Sequence, residues 1–326
     1  MSQLSFSDAE GQAKRKQTRR EKFLLEMVKL LSWNELEKPI ARYYSKSLRG
    51  RKPFPLSSML RIHCMQLFYN LSDPAMEDTL YEVESMRRFA GISIDTVPDE
   101  TTILNFRHLL ERHNLGKKLF SQINKHLAKQ GLSFKEGTIV DATIISAPIS
   151  TKNESGQRGP EMHQAKKGNE WHFGMKMHIG VDDAFAVIHS MATTPANVHD
   201  INLGRQLLHG NENRMWGDAG YLGIEKRDET QDLDIDWFVG CRPGKRKTLI
   251  SAQLKKIKAS VRAKVEHSFR IIKQQFGFSK TRYRGLAKNT ERLYLLAGFT
   301  NLGTCKRYCC PENQCALNSG FGLNLG

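Results

Sequence analysis

The chain has little that would suit it to an oxidising compartment or to a bilayer. Six cysteines in 326 residues do not make a disulfide framework. Four of them (Cys305, Cys309, Cys310, Cys315) crowd near the C-terminus. Their C-x3-C-C-x4-C spacing lacks the paired C-x2-C of structural zinc sites. No apolar run approaches the roughly 18 residues of a membrane span, and the N-terminus has no hydrophobic core of a leader peptide, so an intracellular, non-membrane protein is expected. Acid is also scarce: 34 Asp and Glu face 50 Lys and Arg, leaving +16 and a pI near 9.6. With 39% hydrophobic residues and 26% charged, this is a globular chain that calls for a polyanionic partner.

The positive charge is concentrated. Between Arg242 and Arg292 stand sixteen Lys or Arg against two acids, Glu266 and Glu291, a surplus of fourteen. A helix through SVRAKVEHSFRIIK puts Ile257, Val261, Val265, Phe269 and Ile272 on one stripe. Arg262, Glu266, Arg270 and Lys273 lie on the face beside it, where Glu266 could simply pair with an arginine four residues away.

The order of elements supplies the context. Residues 1–50 read as a basic arm (Lys14, Arg15, Lys16, Arg19, Arg20) and a first helix. Residues 51–132 read as a helical domain. Met59, Leu60, His63, Cys64 and Leu67 share a stripe, Asp73-Pro74 and Asp99 start helices, and Leu115–Lys129 stops at Gly131. After Gly131 the period changes to that of strands. Gly137–Ile145 places Ile139, Asp141 and Thr143 on one face, an unusual mid-strand position for an aspartate. Residues 146–169 are expected as a polar loop. Trp171–Val181 and Phe185–Met191 then form a hairpin about Asp182-Asp183, and Asn197–Gly210 a helix capped by Asp200. Asn213–Asp218 is a strand ending at Asp218 between glycines, followed by a helix at 224–229 that Asp218 could cap, and Asp234–Gly240 is a further strand. His172, His178 and His189 could be imagined as a metal cluster, but polar-face histidines are commoner.

Three acids therefore fall mid-strand (Asp141), at a strand end (Asp218) and on a late helix (Glu266), 77 and 48 residues apart. No local motif links them. Three convergent carboxylates are what two divalent cations need to be held about 3.5–4 Å apart beside a phosphodiester.

The segments VDATIIS, GMKMHIGVD, TPANVHD, GDAGYLG, VRAKVEHSFRIIK and KTRYRGLAKN, with PLSSMLRIHCMQLFYNLSDPAMEDTLYEVESMRRFAG and PDETTILNFRHLLERH before them, resemble the DDE transposases of bacterial insertion sequences, specifically the insertion-sequence-five family. The resemblance implies a ribonuclease-H-like mixed sheet flanked by helices over residues 133–303, an α/β fold preceded by an all-helical, DNA-binding domain; residues 304–326 depart from the family's usual basic ending and are expected as an atypical, disordered tail. It implies Asp141, Asp218 and Glu266 as the metal-binding triad for two Mg²⁺, with Mn²⁺ as a substitute. It further implies DNA-phosphate contacts by Arg262, Lys264, Arg270 and Lys273, a site lined by Lys176 and His199, and a homo-oligomer on double-stranded DNA, both element ends and target, in the bacterial cytoplasm at the nucleoid. The family signature Tyr-x2-Arg-x3-Glu-x6-Lys is met by Arg262, Glu266 and Lys273, whereas Ala259 stands at the tyrosine position. Two other readings share these residues: a ribonuclease-H-like nuclease that joins nothing, and a non-catalytic DNA-binding protein.

Overall fold

The computed structural model describes residues 16–45, 52–132, 136–151, 156, 158–240 and 252–309, side chains of 252–260 and 307–309 excepted. The expected loop at 242–247 and the tail beyond 309 lie outside the described residues, as do the first fifteen residues of the basic arm and the side chain of Ala259. The chain divides into two compact units, 1–115 and 116–326.

The first unit is helical: α1 (Arg19–Leu30), α2 (Trp33–Ala41), α3 (Leu56–Tyr69), α4 (Asp73–Glu82), α5 (Glu84–Ala90) and α6 (Glu100–Arg112). Thr18 and Glu21 close a capping box on α1, and Asp99 caps α6 through the Thr102 amide. The α4 cap is Ser72, one residue before the expected Asp73. Asp73 instead accepts from Gln66 (2.9 Å) and Arg107 (2.9 Å), which carries its carboxylate inward and leaves the exposed first turn to serine. The stripe Met59, Leu60, Cys64, Leu67 is buried on α3, and Phe23 meets Phe68 edge to face.

The second unit holds a mixed sheet of six strands: β1 (Gly137–Ser146), β2 (His163–Lys167), β3 (Glu170–Asp182), β4 (Ile188–Pro195), β5 (Arg214–Gly217) and β6 (Asp236–Val239). β3 is antiparallel to β1 on one side and to β4 and β2, placed one after the other, on its opposite edge. β5 runs parallel to β1, and β6 parallel to β5. One face packs on Leu207, Leu208, Tyr221 and Ile224 around Val140, Ala192 and Met215. The other carries α7 (Leu115–Lys129), α8 (Ala252–Arg270, prolonged by a wider π turn over Ile271–Gln275) and α9 (Leu286–Cys309), with α8 against β1 and α9 against β4.

Several local structures differ from the sequence reading. The polar stretch 146–169 contains a strand, β2, whose alternating polar residues are exposed on an edge and so carry no buried period. Residues 200–207 and 219–230 are short 3-10 turns in place of two helices. The strand after Asp182-Asp183 begins at Ile188, because Asp182 accepts from the amides of Ala184 and Phe185 and winds those residues into the turn. Helix α7 belongs with the sheet: Phe120 meets Tyr294 at 5.9 Å, and Asn124 bonds both the Ile188 carbonyl and Asn301. Helix α9 continues past 303 to Cys309, with Cys305 fully buried.

Beyond the π turn the chain returns to the strand it left. Ser146 donates to Ser279 O (3.1 Å) and accepts from Thr281 N–H (2.8 Å), so the end of β1 is bonded to the residues that follow α8.

Asn301 is the polar joint of this unit. Its side chain accepts from Ile188 N–H (2.7 Å) and donates to Ile188 O (2.7 Å) and to Asn124 (2.8 Å), all beneath α9. Asn301→Leu leaves the buried Ile188 N–H unmatched and its carbonyl with Asn124 alone, and a loss of about 1–3 kcal/mol in denaturant unfolding is expected, larger than for Asn124→Ala.

Candidate active site

A parallel pairing sets the two aspartates side by side. Val140 is opposite Gly217, so Asp141 and Asp218 each stand one step past that pair, Asp141 within β1 and Asp218 where β5 ends. One carboxylate oxygen of each is held by nearby backbone: Asp141 Oδ1 by Ala142 N–H (2.7 Å), Asp218 Oδ1 by Gly220 N–H (2.8 Å). The expected cap role of Asp218 is therefore real but serves a 3-10 turn, Ala219–Tyr221. Gly220 matters by close approach: a Cβ there would lie 2.9 Å from Asp218 Oδ1 and 3.3 Å from Asp200 Oδ2.

Helix α8 supplies the third acid. Val265, Phe269 and Ile272 are buried, which turns Arg262, Glu266, Arg270 and Lys273 along its free edge. These four residues, Asp141, Asp218, Lys176 and Asp200 line a single cavity of about 500 Å³. Glu266 pairs with Arg262 at 3.1 Å, the local pairing anticipated from the spacing. Both side chains are more than half exposed (61% and 57%), so the bridge is worth only about 0.3–0.5 kcal/mol and is easily exchanged for a stronger partner.

Two expected site residues lie elsewhere. Lys264, 200° around the helix from both Arg262 and Glu266, donates to the Asp183 carbonyl. His199 is exposed and precedes the 3-10 turn at Asp200 without lining the cavity. Its neighbour Asp200 takes that place. It accepts from Lys176 Nζ (2.8 Å), which also reaches Val198 O (2.8 Å), and lies 3.8 Å from His178 Nδ1. In the sequence Asp200 resembled only a helix cap. Lys166 and Lys167 also line the cavity, from a strand that periodicity did not reveal.

Burial, with Asp218 and Asp200 nearby and only partly offset by Ala142 N–H and Arg262, pushes the Asp141 carboxyl up to about 6. Among the described residues no Lys or Arg bonds Asp141 or Asp218. Tyr221, fully buried, has its hydroxyl without a hydrogen-bond partner among the described residues, and its pKa is raised by burial and by the charges of Asp200, Asp141 and Asp218. Crowded, uncompensated oxygen donors of this kind fit a hard divalent cation.

The histidines considered from sequence are dispersed. His178 is buried against Thr194 (2.8 Å), and burial drives its pKa down to about 4. His189 instead joins His209 and Glu212, whose ligand atoms lie within 4.8 Å of one another. Glu212 accepts from Thr138 (3.0 Å) and from the His209 and Gly210 amides. His209 Nδ1 accepts from Asn211 N–H (3.2 Å), which puts the ring proton on Nε2, facing Glu212 at 3.5 Å. That network is complete as hydrogen bonds.

The family model described as "Transposase DDE domain" matches residues 132–302, over half of the chain and the whole of this site. The chain belongs to the DDE transposase family. A second model, described as "Transposase domain", matches residues 12–109, within the helical unit. Membership implies a DNA substrate and the use of a divalent metal. No helix among the described residues is long and apolar enough to cross a membrane.

A carboxyl held above its unfolded value of 3.8 costs stability wherever the folded state must ionise it: nothing below about pH 4, rising from there to about pH 6, and the full amount above. In metal-free buffer, Asp141→Asn is expected to raise stability at pH 7–8 by at most about 3 kcal/mol, with the gain shrinking to nothing by pH 4. Thermal unfolding across that range checks it; a gain that grows toward acid pH would contradict the assignment.

Proposed function

We propose that this DDE transposase has a ribonuclease-H-like catalytic fold and belongs to the insertion-sequence-five group. In this reading it cuts DNA at the ends of its element and joins the freed 3′ ends to target DNA. The observation that carries the reading is the meeting of Asp141, Asp218 and Glu266, from a central strand, a parallel neighbour's end and a late helix, around one cavity with a cationic rim. The strand order β4-β3-β1-β5-β6, antiparallel on one side of β1 and parallel on the other, supports the fold assignment.

Asp141, Asp218 and Glu266 would hold two Mg²⁺, replaceable by Mn²⁺. Bound there, the ions would lower the pKa of the attacking water or 3′-hydroxyl and offset charge developing on the phosphate. The chain's own contribution is geometric and electrostatic. Ala142 N–H and Gly220 N–H fix the rotation of the two aspartates, so their remaining oxygens are preset toward the cavity. Arg262, Arg270 and Lys273 line the same cavity and are placed to take phosphates on either side of the scissile bond. Burial, with Lys167 nearby, lowers the Lys273 pKa, the response of a cation that lacks an anionic partner and is suited to receive one. Lys176 holds Asp200 at the rim, keeping that carboxylate from drifting toward Asp218. The helical unit is proposed to bind the element's terminal inverted repeats, and the working form is proposed to be a homo-oligomer on DNA in the bacterial cytoplasm.

Asp141→Asn, Asp218→Asn and Glu266→Gln are each expected to reduce Mg²⁺-dependent cleavage of an end-bearing duplex by at least about 1,000-fold, while changing duplex affinity less than about 3-fold. Near-normal cleavage by any one of them would overturn the triad. Joined product from pre-cut 3′-OH ends separates transposition from simple hydrolysis: a wild-type protein that cuts but never joins would be a nuclease.

A further inference from the structure

Among the described residues Trp171 is the most exposed of the large apolar side chains, at 67%. Trp33 and Trp216 are buried, and Trp237 is half-buried against the core. A lone exposed indole is ordinary on a protein surface; what distinguishes this one is where it stands.

Its surroundings are specific. β2 and β3 form a hairpin through Gly168, whose φ of +63° suits glycine, and Asn169. Trp171 lies directly opposite Lys166 in the ladder, and residues opposed in an antiparallel pair project to the same face. Lys166 and its neighbour Lys167 line the acid-bearing cavity, and Lys167 acts on Lys273 across it. The hairpin therefore sets an aromatic plate beside Lys166 at the cavity's edge, with Lys167 the next cation along the same strand. A flat apolar surface beside a lysine complements a nucleobase attached to a phosphate chain. Within a duplex the base faces are covered by stacking, so such a plate serves a base that is unpaired.

We propose that Trp171 stacks an unpaired base of the DNA strand end held at the cavity, with Lys166, opposite it on the same face, taking the adjoining phosphate. This rests on the reading of the cavity as the site of a DNA strand end. It predicts a preference for frayed or overhanging ends over blunt duplex, and a residue whose loss weakens end binding without touching the acids.

The test is tryptophan fluorescence and affinity, in EDTA, with the full chain. Three probes are used: a duplex with a short unpaired 3′ overhang, the same duplex with abasic sites in the overhang, and a blunt duplex. The overhang duplex is expected to quench wild-type emission, and Trp171→Phe should lose that signal while keeping part of the affinity. Trp171→Ala should bind the overhang about 5- to 100-fold more weakly and the blunt duplex unchanged. Abasic overhangs should cost wild type the same factor and Trp171→Ala nothing more. Equal affinity of wild type and Trp171→Ala for the overhang, or full quenching by the abasic probe, overturns the proposal and leaves the catalytic reading intact. Failure of wild type to bind any of the probes overturns both. A shift of oligomeric state in Trp171→Ala with DNA affinity unchanged would give the indole to a second copy of the chain instead. Because Trp171 is exposed, the variants are expected to melt within about 2 °C of wild type, which checks that folding is not the cause.

Discussion

The parallel pairing of β1 with β5 is the constraint on which the site depends. It is a long-range contact, joining residues 137–140 to 214–217, and it leaves Asp141 and Asp218 as neighbours at the first position where β5 has ended. Ligand sites in sheets of this kind form where strands end and the chain departs in different directions. Asp218 is free to face the cavity because its strand stops, while Asp141 can reach the same point only because β1 continues without a partner on that side. The third acid needs no backbone pairing at all. It is delivered by a helix whose apolar stripe dictates how it rolls.

That arrangement concentrates like charge at one place, and the surrounding structure is built to tolerate it. Backbone amides hold one oxygen of each aspartate, a lysine claims Asp200, and a solvent-exposed arginine holds Glu266 loosely. None of these partners is a buried cation bonded to Asp141 or Asp218. Their charge is therefore left without a fixed counter-ion. The rim, by contrast, is cationic, so the charge distribution changes sign over the width of the cavity.

Much of this was legible in the sequence, for identifiable reasons. The 3.6-residue stripe through Val265, Phe269 and Ile272 determined which way Glu266, Arg262, Arg270 and Lys273 face. The period-2 pattern located β1, and an aspartate in it was conspicuous. Elements without a buried period were not legible. β2 is an exposed edge of alternating polar residues, so it looked like loop, and its two cavity lysines were missed with it. The segment from Asp200 to Leu207 had the cap and glycine of a helix, yet the sheet surface it covers is satisfied by isolated turns. Asp200 therefore hid behind a capping role, and His199 was preferred to it. The Lys264 assignment weighed charge without azimuth. The boundary drawn after Leu132 followed a change of period, whereas the contacts of α7 through Phe120 and Asn124 place that helix with the sheet.

The bonds between Ser146 and residues 279–281 deserve a mechanical reading. They tie the far end of the strand that bears Asp141 to the exit of the helix that bears Glu266, so strand, helix and return segment make a closed ring. Within a ring the two acids cannot be drawn apart by a hinge unless a backbone pair is broken first. The acid-bearing strand and helix then behave as one rigid block.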